Sequence, residues 1–359
     1  MSGYYGCGNA GDEAVLSGIA GAFRQVAGDS ARLLPLSQDP AATRTLHGLD
    51  ARYRMDRRIV KATLAEADLL ISGGGSLLQD TSSVRSLIYY LWIVRMALRM
   101  GKPVMFYAQG MGPFNKAISR WLVRRIASRV SYITVRDEES ASLLRTIGVT
   151  GPPIEVTADP AFALRQAPRA EVDACWRGAE QPASGRPKIG VALRPWGGRP
   201  EAQAAECARL VWALNVVADV VMLPMQLPGD AVFSEDVARR AGLTLPVLKE
   251  PASPAALLGL VGDMDAVVAM RLHALIFAAR MAVPPFALTY DPKVDSLMRV
   301  LGLDDSLAPW TGFSADAVAG SVASLLAHRA ERSEALHGRA GDLERLALRN
   351  AEIALSLVR

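Results

Sequence analysis

The sequence predicts an α/β fold with two Rossmann-like, doubly wound domains facing a cleft. Three observations predict it. Short continuous apolar runs alternate with amphipathic segments along the chain, and runs separated in this way belong to parallel sheets covered on both faces. The pattern stops over residues 166–187, where Pro168, Pro182, Gly185 and Pro187 fall with little apolar periodicity, and then restarts. Polar and glycine-rich clusters recur at the ends of the runs, where open α/β sheets bind ligands. The predicted organisation is an N-terminal domain over 1–165, a linker over 166–187 and a C-terminal domain over 188–359.

In the first domain, runs at 68–72, 103–108, 131–135 and 154–157 predict strands, with a weaker one at 32–36. Helical periodicity covers 12–27, 55–67, 84–100, 117–129 and 138–147. The run at 2–5 is short for a buried strand. Either that strand is stunted, or the recorded sequence starts several residues inside the real one. In the second domain, strands are predicted at 188–193, 217–223, 243–248, 265–270 and 286–289. Helices are predicted at 202–214, 234–241, 255–261 and 272–280, and everything from Ser314 onward reads as helix.

Composition bounds the function. The chain has 359 residues, half of them apolar and 21% charged, which suits two globular domains and excludes disordered, collagen-like and disulfide-stapled classes. The most apolar long segment, 84–100, is interrupted by Arg85, Arg95 and Arg99, so no membrane span is expected. No signal peptide is read at the N-terminus. Cys7, Cys175 and Cys207 are too far apart for a zinc pattern or a disulfide framework, which fits a reducing cytoplasm. Residues 1–165 carry 20 Lys and Arg against 14 Asp and Glu. That mild basic excess suits an anionic small ligand or a membrane surface. It is too weak, and too poor in aromatic–basic clusters, for nucleic acid.

The strand ends supply the candidate site. Gly6, Gly8 and Gly11 join the first strand to the first helix, with Asn9, Asp12 and Glu13 among them. Glycines let backbone N–H groups approach an anion, and the helix start adds a positive dipole. The acidic residue a dinucleotide site wants at the end of the second strand is not convincing, since Asp29 precedes that strand and Asp39 follows it in a loop, and Asp12 and Glu13 would oppose a pyrophosphate. The turn therefore points to a sugar or phosphate-ester site, or to a capped helix start, rather than to a dinucleotide. Gly73, Gly74 and Gly75 form a second nest, with Gln79 and Asp80 placed to hold sugar hydroxyls. Gln109 and Arg194 also lie at strand ends. Arg136 is either a carboxylate or phosphate clamp or an ion-paired residue. Lys293 is either a point charge for phosphate or a surface lysine.

The sharpest local signal is Arg271-Leu272-His273. His47, His328 and His337 lie in polar surroundings, whereas His273 opens a helix at a strand end, two residues from an arginine. It is either a general acid or base or a satisfied structural histidine. The helix bearing Arg120, Arg124, Arg125 and Arg129 is either a solvated face or one drawn to anionic headgroups.

Taken in order, these motifs resemble those of bacterial polysaccharide pyruvyl transferases of the CsaB type. They are Gly3-Tyr4-Tyr5-Gly6, Gly8-Asn9-Ala10-Gly11-Asp12-Glu13 and Gly73-Gly74-Gly75-Ser76-Leu77-Leu78-Gln79-Asp80, followed by Gly110-Met111-Gly112-Pro113 and Val135-Arg136-Asp137. Asp159-Pro160-Ala161-Phe162, Arg271-Leu272-His273 and Asp291-Pro292-Lys293 complete the series. The resemblance implies a fold like GT-B glycosyltransferases. It implies transfer of an enolpyruvyl unit from phosphoenolpyruvate to two hydroxyls of one sugar, giving a pyruvate ketal and phosphate. It implies no further cofactor and no metal. The implied acceptor is an N-acetylmannosamine unit of a lipid-linked cell-wall polysaccharide precursor, met at the inner face of the membrane. The new carboxylate is what S-layer homology domains recognise. In this reading Arg136, Arg271 and Lys293 bind the donor, His273 is the acid, and Asp12 or Asp159 is the base. Leu272, Asn9, Gly11, Gly74, Gly75, Gln79, Gln109 and Arg194 line the substrates. The competing readings are a GT-B glycosyltransferase using a nucleotide sugar and a non-catalytic sugar-binding protein of the same pathway.

Overall fold

Strands form where β-branched and aromatic residues can be buried on both faces. In the first unit the chain runs β1 (Ser2–Tyr5), α1 (Ala10–Ala27), β2 (Leu36–Ser37), α2 (Pro40–His47), β3 (Arg52–Tyr53), α3 (Arg57–Glu66) and β4 (Leu70–Gly73). It continues α4 (Val84–Arg99), β5 (Val104–Gln109), α5 (Ala117–Ala127), β6 (Tyr132–Val135), α6 (Glu138–Thr146) and β7 (Ile154–Val156). The computed structural model describes residues 1–359 apart from Ser82, Gly178, Arg199, Glu250, Pro251 and Arg359. All seven strands are parallel, in the order β3-β2-β1-β4-β5-β6-β7. Val104, Phe106 and Ile133 of the sheet pack against Leu87, Tyr90, Leu91 and Val94 of α4.

The second unit contains α7 (Arg169–Ala174), β8 (Lys188–Ala192), α8 (Pro200–Val217), β9 (Asp219–Met222), α9 (Gly229–Arg240), α10 (Pro254–Val261) and β10 (Ala266–Ala269). It continues α11 (Leu272–Arg280), β11 (Pro285–Thr289), α12 (Pro292–Val300), β12 (Leu307–Pro309), α13 (Ala315–Ala327) and the first half of α14 (Arg329–Ser356). Its five parallel strands are ordered β12-β11-β10-β8-β9. Ile189, Val191, Val220 and Val268 meet Cys207, Leu210, Val211 and Leu214 of α8.

Helix starts follow local chemistry. Asp56, Asp137 and Asp291 accept backbone N–H bonds at the starts of α3, α6 and α12. Asp80 does the same for a loop, accepting from the N–H groups of Asn115 at 2.8 Å and Lys116 at 2.9 Å. Burial pushes its carboxyl up, but these N–H groups outweigh that and hold it below the ordinary range.

Three expectations are corrected. Residues 166–187 are not a free linker. Ala167 N–H donates to Ala255 O at 3.0 Å, and a Cβ added to Gly259 would lie 2.5 Å from Val172, so α7 packs on α10 within the second unit. Residues 343–359 group with the first unit rather than the second. Leu343, Ala347, Ala351, Ile353 and Ala354 give this half of α14 a buried apolar stripe. The run at 243–248 forms only a single bridge, Val247 to Met222, because Pro246 has no N–H for a ladder. The short strands β3 and β12 and the helices α2, α7 and α12 were not foreseen.

No described helix is long and apolar enough to cross a membrane. Asn350 on α14 is fully buried and ties that helix to the end of β7. Its Oδ1 accepts from Thr157 Oγ1 at 2.9 Å, and its Nδ2 donates to Leu346 O and Ala347 O at 3.2 and 3.1 Å. Asn350→Leu should lower unfolding free energy by about 1–3 kcal/mol, since it removes the amide's buried hydrogen bonds and leaves Thr157 Oγ1 only its 3.3 Å contact with Val135 O. A shift of the urea midpoint at unchanged slope is the measurement.

Candidate active site

Doubly wound sheets place their ligands beyond the carboxyl ends of the strands, where the strand order reverses. In the first unit that point lies between β1 and β4. In the second it lies between β8 and β10. The glycine turn after β1 and the Gly73–Gly75 nest flank the first. Arg194 and Arg271-Leu272-His273 flank the second.

In the second unit, Ala192 of β8, Ala269 of β10 and Ala287 of β11 stand in register. Arg194 and Arg271 each follow their strand by two residues, and Lys293 follows β11 by four. Three cations therefore emerge along one sheet edge. Each is held differently. The Arg271 fork closes on Asp230, with Nε donating to Oδ2 at 2.9 Å and Nη2 to Oδ1, and Nη2 also reaches Gln226 Oε1 at 3.2 Å. The Asp230 side chain is only 2% exposed, and it accepts from the backbone N–H of Met225 and Gln226 as well. Arg194 lies over Trp196 and Tyr290, 5.2 and 5.6 Å from the ring centres, and donates to Tyr290 Oη at 3.3 Å. Lys293 Nζ pairs with Asp291 Oδ2 at 3.0 Å and is half-buried.

Residues 9–11 belong to this unit. Asn9 pairs with Gln226 in an antiparallel bridge, and Ala10 N–H donates to Met225 O at 3.0 Å. Asn9 Oδ1 accepts from Gly11 N–H at 2.9 Å and so caps the start of α1. Gly11 lies directly against His273, since a Cβ there would sit 2.2 Å from Nδ1. The structure thus brings Asn9, Gly11, Arg271 and His273 together. Leu272 is buried beneath them in the first turn of α11.

In the first unit, Gly74 adopts φ 75° and packs on Val15, where a Cβ would lie 1.9 Å from Cγ1. Only glycine fits that nest. A Cβ on Gly75 would lie 3.2 Å from Asp12 Oδ1, so Asp12 faces the nest from the first turn of α1. The Arg136 side chain is 7% exposed and donates to Asp159 Oδ2 at 2.9 Å and Ser76 Oγ at 3.0 Å, with Asp137 Oδ2 at 3.6 Å. Asp159 Oδ1 also accepts from Ala161 N–H. Arg136 and Asp159 therefore form a buried couple. Gln109 is fully buried, and its Nε2 donates to Ser72 O at 2.6 Å, pinning β5 to β4. Gln79 turns back on its own loop, accepting from Thr81 N–H at 2.8 Å.

Several residues escaped the sequence reading. Asp230 sits in a strand-end cluster, but nothing in the sequence pairs it with Arg271. His47 was read in polar surroundings, yet its side chain is 1% exposed. Its Nε2 lies 2.7 Å from Glu13 Oε2 and its Nδ1 2.9 Å from Ser17 Oγ, while Glu13 Oε1 accepts from Gly6 N–H. This network locks the glycine turn. Arg54 follows the two-residue strand β3, which has no periodic signal.

The sequence profile of the polysaccharide pyruvyl transferases matches residues 9–292. The chain belongs to the polysaccharide pyruvyl transferase family. Membership makes it a transferase with a saccharide acceptor, and the match takes in Arg136, Arg271 and His273. No curated protein matches the sequence. Among solved structures, the fold is similar to that of HepE of Anabaena in complex with UDP-glucose (TM-score 0.65, 14% identity, covering 99% of this chain and 98% of that one). It is also similar to a glycosyltransferase from Rickettsia africae (0.64, 11%, 98% and 96%). A UDP-GlcNAc 2-epimerase from Neisseria meningitidis, bound to UDP-GlcNAc, matches as well (0.60, 11%, 99% and 99%). At these identities the likeness shows the GT-B-like fold alone.

Removing one partner of a buried charge pair leaves the other without compensation. Asp230→Ala should cost about 3–5 kcal/mol, read by chemical denaturation, and Asp230→Asn should recover part of it through its amide oxygen.

Proposed function

We propose that this pyruvyl transferase is of the CsaB type. It moves an enolpyruvyl unit from phosphoenolpyruvate to two hydroxyls of an N-acetylmannosamine, or related, residue of a lipid-linked cell-wall polysaccharide precursor. The observation that carries the reading is the set of three cations on one sheet edge with an imidazole in the same turn. Phosphoenolpyruvate bears a carboxylate and a phosphate, so it needs several cations and one proton donor. Arg271 and Lys293 bind its anionic groups, and Arg194 adds a third positive charge with two aromatic faces.

His273 protonates the methylene carbon, leaving an oxocarbenium-like centre at the neighbouring carbon. A sugar hydroxyl attacks that centre and gives up its proton to the carboxylate base. The bond to the phosphate oxygen then breaks, phosphate leaves, and the second hydroxyl closes the ketal and returns a proton to His273. Arg271 stabilises the charge that grows on the leaving phosphate. Of the two carboxylates, we assign the base to Asp12, because it faces the Gly75 nest at the strand ends from the first turn of α1, while Asp159 orients Arg136. Arg136 then acts by holding Asp159 and Ser76, in addition to any donor contact the family resemblance gives it.

The test follows phosphate release and acceptor mass with phosphoenolpyruvate and a synthetic N-acetylmannosaminyl–N-acetylglucosamine lipid diphosphate. A mass gain of one pyruvate ketal, with turnover at least about 10²-fold lower in His273→Ala, is expected. Gly11→Ala should lose a similar factor by displacing the imidazole, with the thermal midpoint nearly unchanged. Binding of a nucleotide sugar without use of phosphoenolpyruvate would replace this reading with a GT-B glycosyltransferase.

A lipid-linked acceptor calls for contact with the inner face of the membrane, and α5 suits it. Ile118 and Trp121 are each 53% exposed beside Arg125, whose guanidinium lies 5.5 Å from the Trp121 ring centre. Arg120 is drawn instead onto Phe114 O and Asn115 O, and Arg124 lies against Gly148. Trp121→Ser with Arg125→Ser should weaken partition into phosphatidylglycerol vesicles about tenfold or more in a sedimentation assay. Unchanged partition would exclude α5 as the contact.

A further inference from the structure

Arg54 is a buried cation. It is 7% exposed, and among the described residues no carboxylate forms an ion pair with it. Three tyrosine rings enclose it instead, with centres 5.7 Å (Tyr4), 4.9 Å (Tyr89) and 5.5 Å (Tyr90) from the guanidinium carbon. Nη2 donates to Tyr90 Oη at 3.0 Å, and Nη1 lies 3.9 Å from the Cys7 sulfur. Nε is buried with no hydrogen-bond partner. Ring faces stabilise a desolvated guanidinium by a few kcal/mol at most, which is less than a buried full charge costs. Of the groups around it, Tyr4 is 42% exposed and Cys7 is half-buried.

We propose that Arg54, Tyr4 and Cys7 form a subsite for the phosphate group of a phosphorylated saccharide, with Arg54 taking the oxyanion and Tyr4 covering the sugar ring. This rests on the reading of the protein as a transferase with a saccharide acceptor. The place in the fold agrees with it. Tyr4 is the last residue but one of β1, Cys7 lies in the glycine turn, and Arg54 follows β3, so all three stand near the carboxyl edge of the seven-stranded sheet. Asp12 starts the helix after the same turn. Burial raises the Cys7 thiol, Arg54 opposes the rise, and the charges of Asp12 and Glu13 add to it. The subsite and the base assigned to the acceptor hydroxyl thus share one end of β1. The raised thiol is a wall of the subsite and not a nucleophile.

The test uses the wild-type protein and no turnover. Cys7 is the accessible thiol, since Cys175 and Cys207 are buried, and a Cys7→Ser variant gives the blank. The rate of N-ethylmaleimide labelling at Cys7 is measured with N-acetylglucosamine 1-phosphate, N-acetylglucosamine, inorganic phosphate or phosphoenolpyruvate. The sugar phosphate should slow labelling saturably, by about fivefold at a few times its Kd, and the other three by less than about twofold. Protection should vanish in Arg54→Gln. Tyr4→Ala, which alters an exposed ring and spares the core, should bring sugar phosphate and inorganic phosphate to equal protection. No protection by the sugar phosphate in the wild type overturns the proposal. Equal protection by inorganic phosphate in the wild type reduces the subsite to a generic phosphate site and also overturns it. Strongest protection by phosphoenolpyruvate moves the subsite to the donor. Because labelling needs no reaction, failure of ketal transfer and failure of this subsite are read separately.

Discussion

The carboxylate of Asp230 is the constraint on which the second unit's site depends. Buried almost completely, it is satisfied by a two-point fork from Arg271 and by two backbone N–H groups at Met225 and Gln226. That set of donors makes burial of the charge tolerable. It also fixes geometry. The turn at 225–226 carries Asn9 and Ala10 by backbone pairing, and Gly11 beside them forms the surface on which His273 packs. One carboxylate therefore sets the arginine, the glycine turn and the imidazole together. Chemistry that needs an acid within a few tenths of an ångström of its target depends on this kind of support.

The cations on the sheet edge are graded in availability, and the grading follows from their partners. Arg271 is clamped by a carboxylate in a near-dry setting, so it keeps its orientation but offers only part of its fork to a ligand. Lys293 is paired with Asp291 in a half-exposed setting, where an ion pair contributes little and exchanges readily for a stronger anion. Arg194 is held by rings, and among the described residues no carboxylate pairs with it. A ligand with two anionic groups would find one fixed direction and two adaptable charges. The start of α11, with Arg271 as its first flanking residue, adds the positive end of a helix dipole to the same edge.

What the sequence made legible was whatever depends on burial with a period. β4, β5, β8 and β10 are continuous apolar runs because helices cover both their faces, and they fall where the runs do. The strand-end rule then singled out Arg271 and His273 with no knowledge of their partners. Long-range pairing stayed out of reach. Asp230 meets Arg271 across 41 residues and Thr157 meets Asn350 across 193, and no local pattern marks either contact. Strands of two or three residues, such as β2, β3 and β12, are too short for alternation to register, so Arg54 had no context. His47 was misjudged because α2 is polar in composition. A buried Glu–His–Ser chain satisfies its ring and lets it enter the interior.

The fold itself does not select the reaction. Epimerases and glycosyltransferases with nucleotide sugars share the architecture at 11–14% identity, so two wound sheets only provide strand ends on which polar groups can stand. Selection lies in which side chains stand there and in how they are kept charged. In the second unit, carboxylates and aromatic rings hold cations in place at the edge. In the first, the glycine turn after β1 is held by Glu13, which His47 occupies from its other side, and the turn's own acidic residue, Asp12, faces the Gly75 backbone. Two acidic residues at a helix start are an unfavourable setting for a pyrophosphate at that same turn. They suit a site that takes a neutral hydroxyl and removes its proton. The second unit thus presents a cation-rich edge, and the first a carboxylate-bearing turn.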